Sequence, residues 1–274
     1  MKVTTNLVSR GLKSIVNVYI DQKCLDLLYK FITFVNLIKK FVSGRLPLTV
    51  WTFRDCVAEV NFNGLRYNFY LRSGCDFNIF LNPYFHEYDV TQFVFSSLLP
   101  GDVFLDVGAH GGLYTLIAAK KVGFKGKVIS FEPNPLNLFF LKLNIKLNAL
   151  NNVIVIPKAV SNASGNIELF YSEYKTAFTS ALVKQEKRFF AESTTIDDVA
   201  TIFNLTSIKI IKIDTEGYDL NVLKGALNTL NKTRYVIVEQ NTSNVRQLLS
   251  NVGFELSTLN PSGYLLAVNK NLKD

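Results

Sequence analysis

The most regular stretch of the chain runs from Val103 to Lys120. Apolar Val103, Phe104 and Leu105 lead into Asp106, then come Gly108, Gly111 and Gly112, and then Leu113, Leu116 and Ile117 at helical spacing. A short apolar run, a glycine cluster and a period near 3.6 predict strand, tight turn and helix. The alternation continues downstream, with strands predicted over Lys127–Phe131, Val153–Ile156, Ile208–Ile213 and Tyr235–Val238 and helices over Pro135–Asn148, Tyr218–Leu230 and Asn244–Val252. Pro135 suits a first helical turn. Ile167–Tyr171 reads as an inserted strand, and the polar, poorly periodic residues 172–195 as a loop. Phe254–Leu259 and Tyr264–Asn269 flank Pro261-Ser-Gly263 and read as a hairpin, not another crossover. Strand and helix alternating in this way predict an α/β fold, a doubly wound Rossmann-like sheet closed by a terminal antiparallel hairpin.

The N-terminal part has a different pattern. From Asp21 to Val42, Leu27, Leu28, Phe31, Ile32, Val35, Ile38 and Val42 recur at three and four, with Lys23, Lys30 and Lys40 off that face, which predicts an amphipathic helix. Short runs at Thr49–Phe53, Ala58–Phe62 and Tyr67–Arg72 have strand character, and Asn63-Gly64 between the last two is a hairpin signal. A further helix over Gln92–Leu99 stops at Pro100-Gly101 and places His86, Glu87 and Tyr88 just upstream of the glycine turn. The chain therefore divides into an extension, residues 1–82, and a main domain, residues 83–274.

Charge sharpens this division. The net charge is +8, and residues 1–55 hold nine Lys/Arg against three Asp/Glu, so the basic character belongs to the N-terminal arm. Its helix either packs on the main domain with a solvated lysine face or makes a peripheral contact with an anionic membrane through residues 21–45. Asp26, Lys30, Lys39 and Lys40 interrupt the longest apolar stretch, which excludes a membrane span there, and no signal-peptide pattern precedes it. The three cysteines lack metal spacing and there are only two histidines, which argues against zinc and for a cytoplasmic protein with reduced thiols.

The candidate chemistry lies at the strand ends. Asp106, Glu132, Asp214 and Glu239 each follow a predicted strand, and in open α/β sheets that edge binds ligands. A carboxylate at the first turn would repel a phosphate. It suits S-adenosylmethionine, whose ammonium Asp106 can accept while the amides of the following helix face the methionine carboxylate. Glu132, at the end of the next strand, stands where a carboxylate grips ribose hydroxyls. The plainer alternatives are a helix cap for Asp106 and a solvated loop acid for Glu132. Asp214 and Glu216 are the candidate bases for a hydroxyl proton, although Asp214 could instead line the cofactor pocket and Glu216 cap the next helix. His86 is a weaker base candidate. The two acids could also hold a divalent cation, but the sequence offers no evident third ligand, so no metal is expected.

Asp106-Val-Gly-Ala-His-Gly-Gly-Leu-Tyr-Thr115, Phe131-Glu-Pro-Asn-Pro135, Ala159-Val-Ser161 and Lys212-Ile-Asp-Thr-Glu-Gly-Tyr-Asp-Leu-Asn-Val-Leu-Lys-Gly225 together resemble the FkbM family of S-adenosylmethionine-dependent O-methyltransferases, over residues 83–269. The resemblance implies a class I methyltransferase sheet, S-adenosylmethionine as donor, and as partner a small-molecule or glycan hydroxyl acceptor. It further implies that Asp106, Gly108 and Gly112 cradle the methionine end, Glu132 the ribose and the Lys158-Ala159 turn the adenine. Ala109, His110, Tyr114, Pro133 and Asp214 are also placed on the cofactor side, and Glu87 falls where the family tends to have an acid. His110 stands where the family usually has Asn and Gly111 where a larger apolar residue is common, so His110 is expected to act through its backbone. RNA methylation, suggested by pI 9.2, is disfavoured because the charge is not spread over the main domain and no Asn-Pro-Pro-Tyr type motif follows the fourth strand. A silent scaffold is disfavoured by the four strand-end acids. A dehydrogenase is the least favoured reading, since His110 and Leu113 stand where its second and third glycines belong.

Overall fold

A computed structural model describes residues 2–9, 12–19, 56–71, 87–171, 179–181 and 187–272. The chain forms two compact units, Met1–Leu81 and Asn82–Asp274. The helix expected over Asp21–Val42, the membrane-contact segment 21–45, the strand Thr49–Phe53 and His86 lie outside the described residues.

The first unit contains β1 (Lys2–Ser9), β2 (Leu12–Tyr19), β3 (Cys56–Phe62) and β4 (Leu65–Leu71) in one antiparallel sheet of order β2-β1-β3-β4. The β3–β4 hairpin turns on Asn63 and Gly64, both with positive φ, as a two-residue turn matching strand twist requires. Phe62, Tyr67 and Phe69 are buried. The β1–β2 pair went unread in the sequence, because its Thr, Asn and Ser residues weaken the apolar alternation that marks a strand.

The second unit is built on a seven-stranded sheet. In chain order it comprises α1 (Tyr88–Ser97), β5 (Val103–Val107), α2 (Leu113–Val122), β6 (Lys127–Phe131), α3 (Pro135–Leu147), β7 (Val153–Ile156), β8 (Ala159–Val160), β9 (Gly165–Tyr171), β10 (Thr179–Ser180), β11 (Lys187–Thr194), α4 (Ile196–Ile202), β12 (Ile208–Ile213), α5 (Asp219–Lys224), α6 (Leu227–Leu230), β13 (Thr233–Val238), α7 (Ser243–Asn251), β14 (Phe254–Thr258) and β15 (Leu265–Asn269). The main sheet has the order β14-β15-β13-β12-β5-β6-β7, and every ladder is parallel except those of β15. Helices cover both faces, so the central strands are continuous apolar runs, as buried parallel strands must be. Leu105, Val107, Ile211, Ile213, Val236 and Val238 face one core with Ile196, Leu223, Val245 and Leu249, each burial worth about 1.5–3 kcal/mol. The pleat sends Asp106 and Lys212 to the other face, beneath α1 and α2.

The chain winds outward from β5 to β7, then returns to place β12 on the opposite flank of β5. Strand order thus reverses between β5 and β12, which opens the ligand crevice at their carboxyl ends. The two strands close tightly there. A Cβ on Gly108 would lie 1.8 Å from the Asp214 carbonyl oxygen, and Gly108 has φ +84°.

Two expectations are corrected. Residues 187–194, expected in a loop, form β11, paired antiparallel with β9 and parallel with β8 in a small side sheet. Its alternation is hidden because the inward positions are small or polar, Ala191 and Ser193, while Phe190 is exposed. The helix expected over Tyr218–Leu230 breaks at Gly225, where the Asp197 side chain accepts from the Asn228 and Thr229 amides and starts α6 afresh. Asp197 lies in α4, a seven-residue helix capped by Thr195 and too short to show a period.

Gly108→Ala places a methyl against backbone that cannot move aside and forces a left-handed alanine. Overpacking and conformational strain together predict a loss of about 3 kcal/mol in urea denaturation. A loss below about 1 kcal/mol would show that β5 and β12 can part.

Candidate active site

Four neighbouring strands, in the order β6, β5, β12 and β13, end in or lead into Glu132, Asp106, Asp214 and Glu239. On the first two the acids are fully enclosed. Asp106 Oδ2 accepts from Thr115 Oγ1 at 2.6 Å, and Thr115 shares a 2.7 Å hydrogen bond with Ser130. Burial pushes the Asp106 carboxyl up, opposed by the Lys212 ammonium. Asp106 Oδ1 is buried and has no hydrogen-bond partner among the described residues. Glu132 Oε2 accepts from the His110 amide at 2.8 Å and Oε1 from the Asn134 amide at 2.9 Å. Burial pushes Glu132 up to about 7, although those amides pull it down. His110 adopts φ 48° in the turn whose amide meets Glu132.

On the other side of the reversal the acids gather around one cation. Lys212 Nζ lies 2.8 Å from Asp214 Oδ2, which also accepts from the Tyr264 hydroxyl at 3.0 Å. The ammonium stands 4.4 Å from the Tyr114 ring centroid, and the Tyr114 hydroxyl donates to Glu87 Oε2 at 2.5 Å. Burial pushes Asp214 up, but the Lys212 charge and the hydrogen bonds from Lys212, Tyr264 and Glu239 together hold the carboxyl below the usual range. Burial disfavours the charged form of Lys212, yet Asp214, Asp106 and Glu87 hold it above the usual lysine range. Glu239 is driven up to about 9 by burial and by the negative charge of Asp214, Glu216 and Asp219, and its proton bonds Asp214. Burial and Asp214 push Glu216 up to about 7. Glu216 has φ 51° in the turn that leads to α5.

The surrounding walls are braced. Asp219 accepts from the Thr215 hydroxyl and amide and from the Gln240 amide, tying the β12 and β13 exits together. Ser262, in the β14–β15 connection, donates from Oγ at 2.6 Å and from its amide to Asp89, two residues after Glu87.

Residues 106–256 match the Methyltransferase FkbM domain model, more than half of the chain. This protein belongs to the FkbM methyltransferase family. It is 30% identical over 153 residues to the hexuronic acid methyltransferase AglP of Haloferax volcanii, an overlap of 56% of this chain and 62% of AglP. Among solved structures it resembles an FkbM methyltransferase from Methylobacillus flagellatus, with TM-score 0.45, 16% identity and coverage of 65% of this chain and 50% of that one. It also resembles Aeropyrum pernix fibrillarin, solved with S-adenosyl-L-methionine, with TM-score 0.44, 11% identity and coverage of 82% and 84%.

In this FkbM chain the predicted site residues divide into two groups. Asp106, Gly108, Ala109, His110, Gly112 and Tyr114 line the β5–α2 turn, and Glu132 and Pro133 the end of β6. Glu87, Asp214 and Glu216 lie on the Lys212 side, where the ammonium feels the charge of the first two and acts on the third. Lys158 lies apart from these bonds, in a 2.7 Å exposed ion pair with Glu192 of β11, and Ala159 packs with Leu169 and Ala191. Lys212, Tyr264 and Glu239 join the site without having been assigned to it. The signal for Lys212 was a lysine inside the apolar run Ile210–Ile213. Glu239, one of the strand-end acids, also supplies the third carboxylate whose proximity the sequence did not show, its oxygen falling within 4.8 Å of those of Asp214 and Glu216. Lys212 already brings positive charge to Asp214, and we assign no metal to the cluster.

The native state keeps a proton on Glu239 that an unfolded chain, with its carboxyl near the ordinary 4.5, releases. A raised folded value means that this contribution is present below about pH 4.5 and lost as pH rises through about 9. Glu239→Gln cannot lose that proton. In ligand-free thermal melts the variant is expected to match wild type near pH 5 and to gain on it steadily toward pH 9. A constant difference across that range would place the proton elsewhere.

Proposed function

We propose that this FkbM-family chain is an S-adenosylmethionine-dependent O-methyltransferase acting on a hydroxyl of a sugar, glycan or other small metabolite. The observation that carries the reading is the crevice at the strand reversal, where a buried carboxylate with one partnerless oxygen, Asp106, stands beside an orienting acid, Glu132. An unpartnered buried acceptor is costly unless a ligand completes it, and an ammonium group does so. Asp106 would hold the amino end of the cofactor and Glu132 its ribose, with the β5–α2 turn amides facing the carboxylate. The relationship to AglP supports a sugar acceptor.

When bound, the cofactor supplies a methyl group already activated by a sulfonium. What remains for the protein is placement and a proton. Lys212 and Tyr264 both engage Asp214 Oδ2, which fixes the rotation of a carboxylate kept in its charged form. Asp214 thus accepts a hydrogen bond from a hydroxyl next to the reacting one and so orients the acceptor. Glu216, poised near neutrality, takes the hydroxyl proton, since a base works best when its pKa lies near the working pH. The negative charge of Asp214 and Glu87 on this wall suits a neutral hydroxyl and repels a phosphate backbone.

Calorimetry with S-adenosylmethionine and S-adenosylhomocysteine is the test of the donor site. Micromolar binding is expected, weakened about tenfold, or about 1.4 kcal/mol, by Glu132→Ala. No binding by folded wild type would refute the reading and leave a silent scaffold. For the chemistry, kcat/KM is expected to rise with pH through about 7 as Glu216 ionises, and Asp214→Asn to lower kcat by about a hundredfold or more. A profile unchanged by Glu216→Gln would remove Glu216 from the base role.

A further inference from the structure

Lys212 is out of place by every local rule. It stands within a parallel strand whose neighbours Ile210, Ile211 and Ile213 are fully buried, and it is itself 1% exposed. A buried ammonium is costly unless closely paired. The pairing here is unusual in reaching both halves of the crevice. Across the ladder Lys212 lies in register with Asp106, on the same face of the sheet, and along its own strand it contacts Asp214. Tyr114 and Tyr264 close over it, with ring centroids at 4.4 and 5.8 Å, and pass its influence outward through hydroxyls bonded to Glu87 and to Asp214.

Without this cation, Asp106 and Asp214 would face each other as like charges on adjacent strands. Neither could remain a charged acceptor at full strength, and Asp214 would lose one of the three donors that fix its rotation. We propose that Lys212 is a positioning residue for methyl transfer, a single internal cation that holds the cofactor-side carboxylate Asp106 and the acceptor-side carboxylate Asp214 in their working states together. The inference rests on the reading of Asp214 as the group that orients the acceptor. It assigns to Lys212 no contact with either substrate, so its loss acts through Asp106 and Asp214.

The discriminating variant is Lys212→Met, which keeps the length of the stem and removes the charge. S-adenosylhomocysteine affinity is expected to weaken about tenfold as Asp106 loses its counter-charge, and acceptor KM to stay within about threefold of wild type, while kcat falls about a hundredfold, in line with a lost positioning group. The double variant Lys212→Met/Asp214→Asn removes both charges. It is expected to recover the thermal stability lost in the single variant, but none of the rate. In ligand-free protein, 13C carboxyl NMR is expected to show Asp214 titrating at least one unit higher in Lys212→Met than in wild type. A folded Lys212→Met with wild-type kcat, or an Asp214 titration that does not move, would overturn the proposal and leave Lys212 a structural residue. If Lys212→Met does not fold, a double variant that folds and regains the wild-type rate overturns it equally. Should wild type neither bind the cofactor nor transfer methyl groups, the enzyme reading fails by itself, and the Asp214 titration still decides whether Lys212 governs that carboxylate.

Discussion

Like charges collect at one edge of this sheet, and the fold depends on how they are kept apart. Parallel strands of similar length end together, so acids placed after β6, β5, β12 and β13 stand side by side where there is little water to screen them. Three devices make this tolerable. Backbone amides satisfy Glu132, a buried ammonium balances Asp106 and Asp214, and a retained proton neutralises Glu239. Each leaves a different kind of carboxylate behind. Glu132 is held in place by the turn, Asp214 stays ionised, and Glu216 is balanced near neutrality. Diverse acid chemistry therefore comes from one residue type placed at successive strand ends, with the neighbourhood of each setting its character.

Much of this was legible in the sequence. Strands β5, β6, β12 and β13 are mostly apolar runs with an acid at or just past the end, the pattern of a buried parallel sheet. Pro135 marks a helix start by the fixed φ of its ring, and the structure adds Asn134 as the cap before it. What escaped notice depends on pairing across space. β11 shows its alternation only once β9 supplies its register, and Lys212 becomes meaningful only when Asp106 is known to lie opposite it. The separation of α5 from α6 was hidden for a similar reason, since the Asp197 that starts α6 is thirty-one residues from Asn228.

The family match and the observed site do not have the same limits. Residues 106–256 contain Asp106, Glu132, Lys212, Asp214, Glu216 and Glu239, and so include the strand-end acids and their cation. Glu87 and Tyr264 lie outside it, one before the sheet begins and one in its last connection. Both are attached to the centre by tyrosine hydroxyls, Tyr114 to Glu87 and Tyr264 to Asp214. The strand ends belong to the shared domain, and the wall facing them is contributed by its flanks.

The bond between Asp89 and Ser262 joins those flanks. It spans 173 residues of sequence and connects the first turn of α1 to the β14–β15 loop, so the segments that carry Glu87 and Tyr264 are clasped to each other as well as to the sheet. Evolution can therefore not remodel one side of the entrance alone. A lengthened β14–β15 loop or a shifted α1 would carry the opposite wall with it, and relatives that admit a bulkier acceptor should have altered both segments in concert.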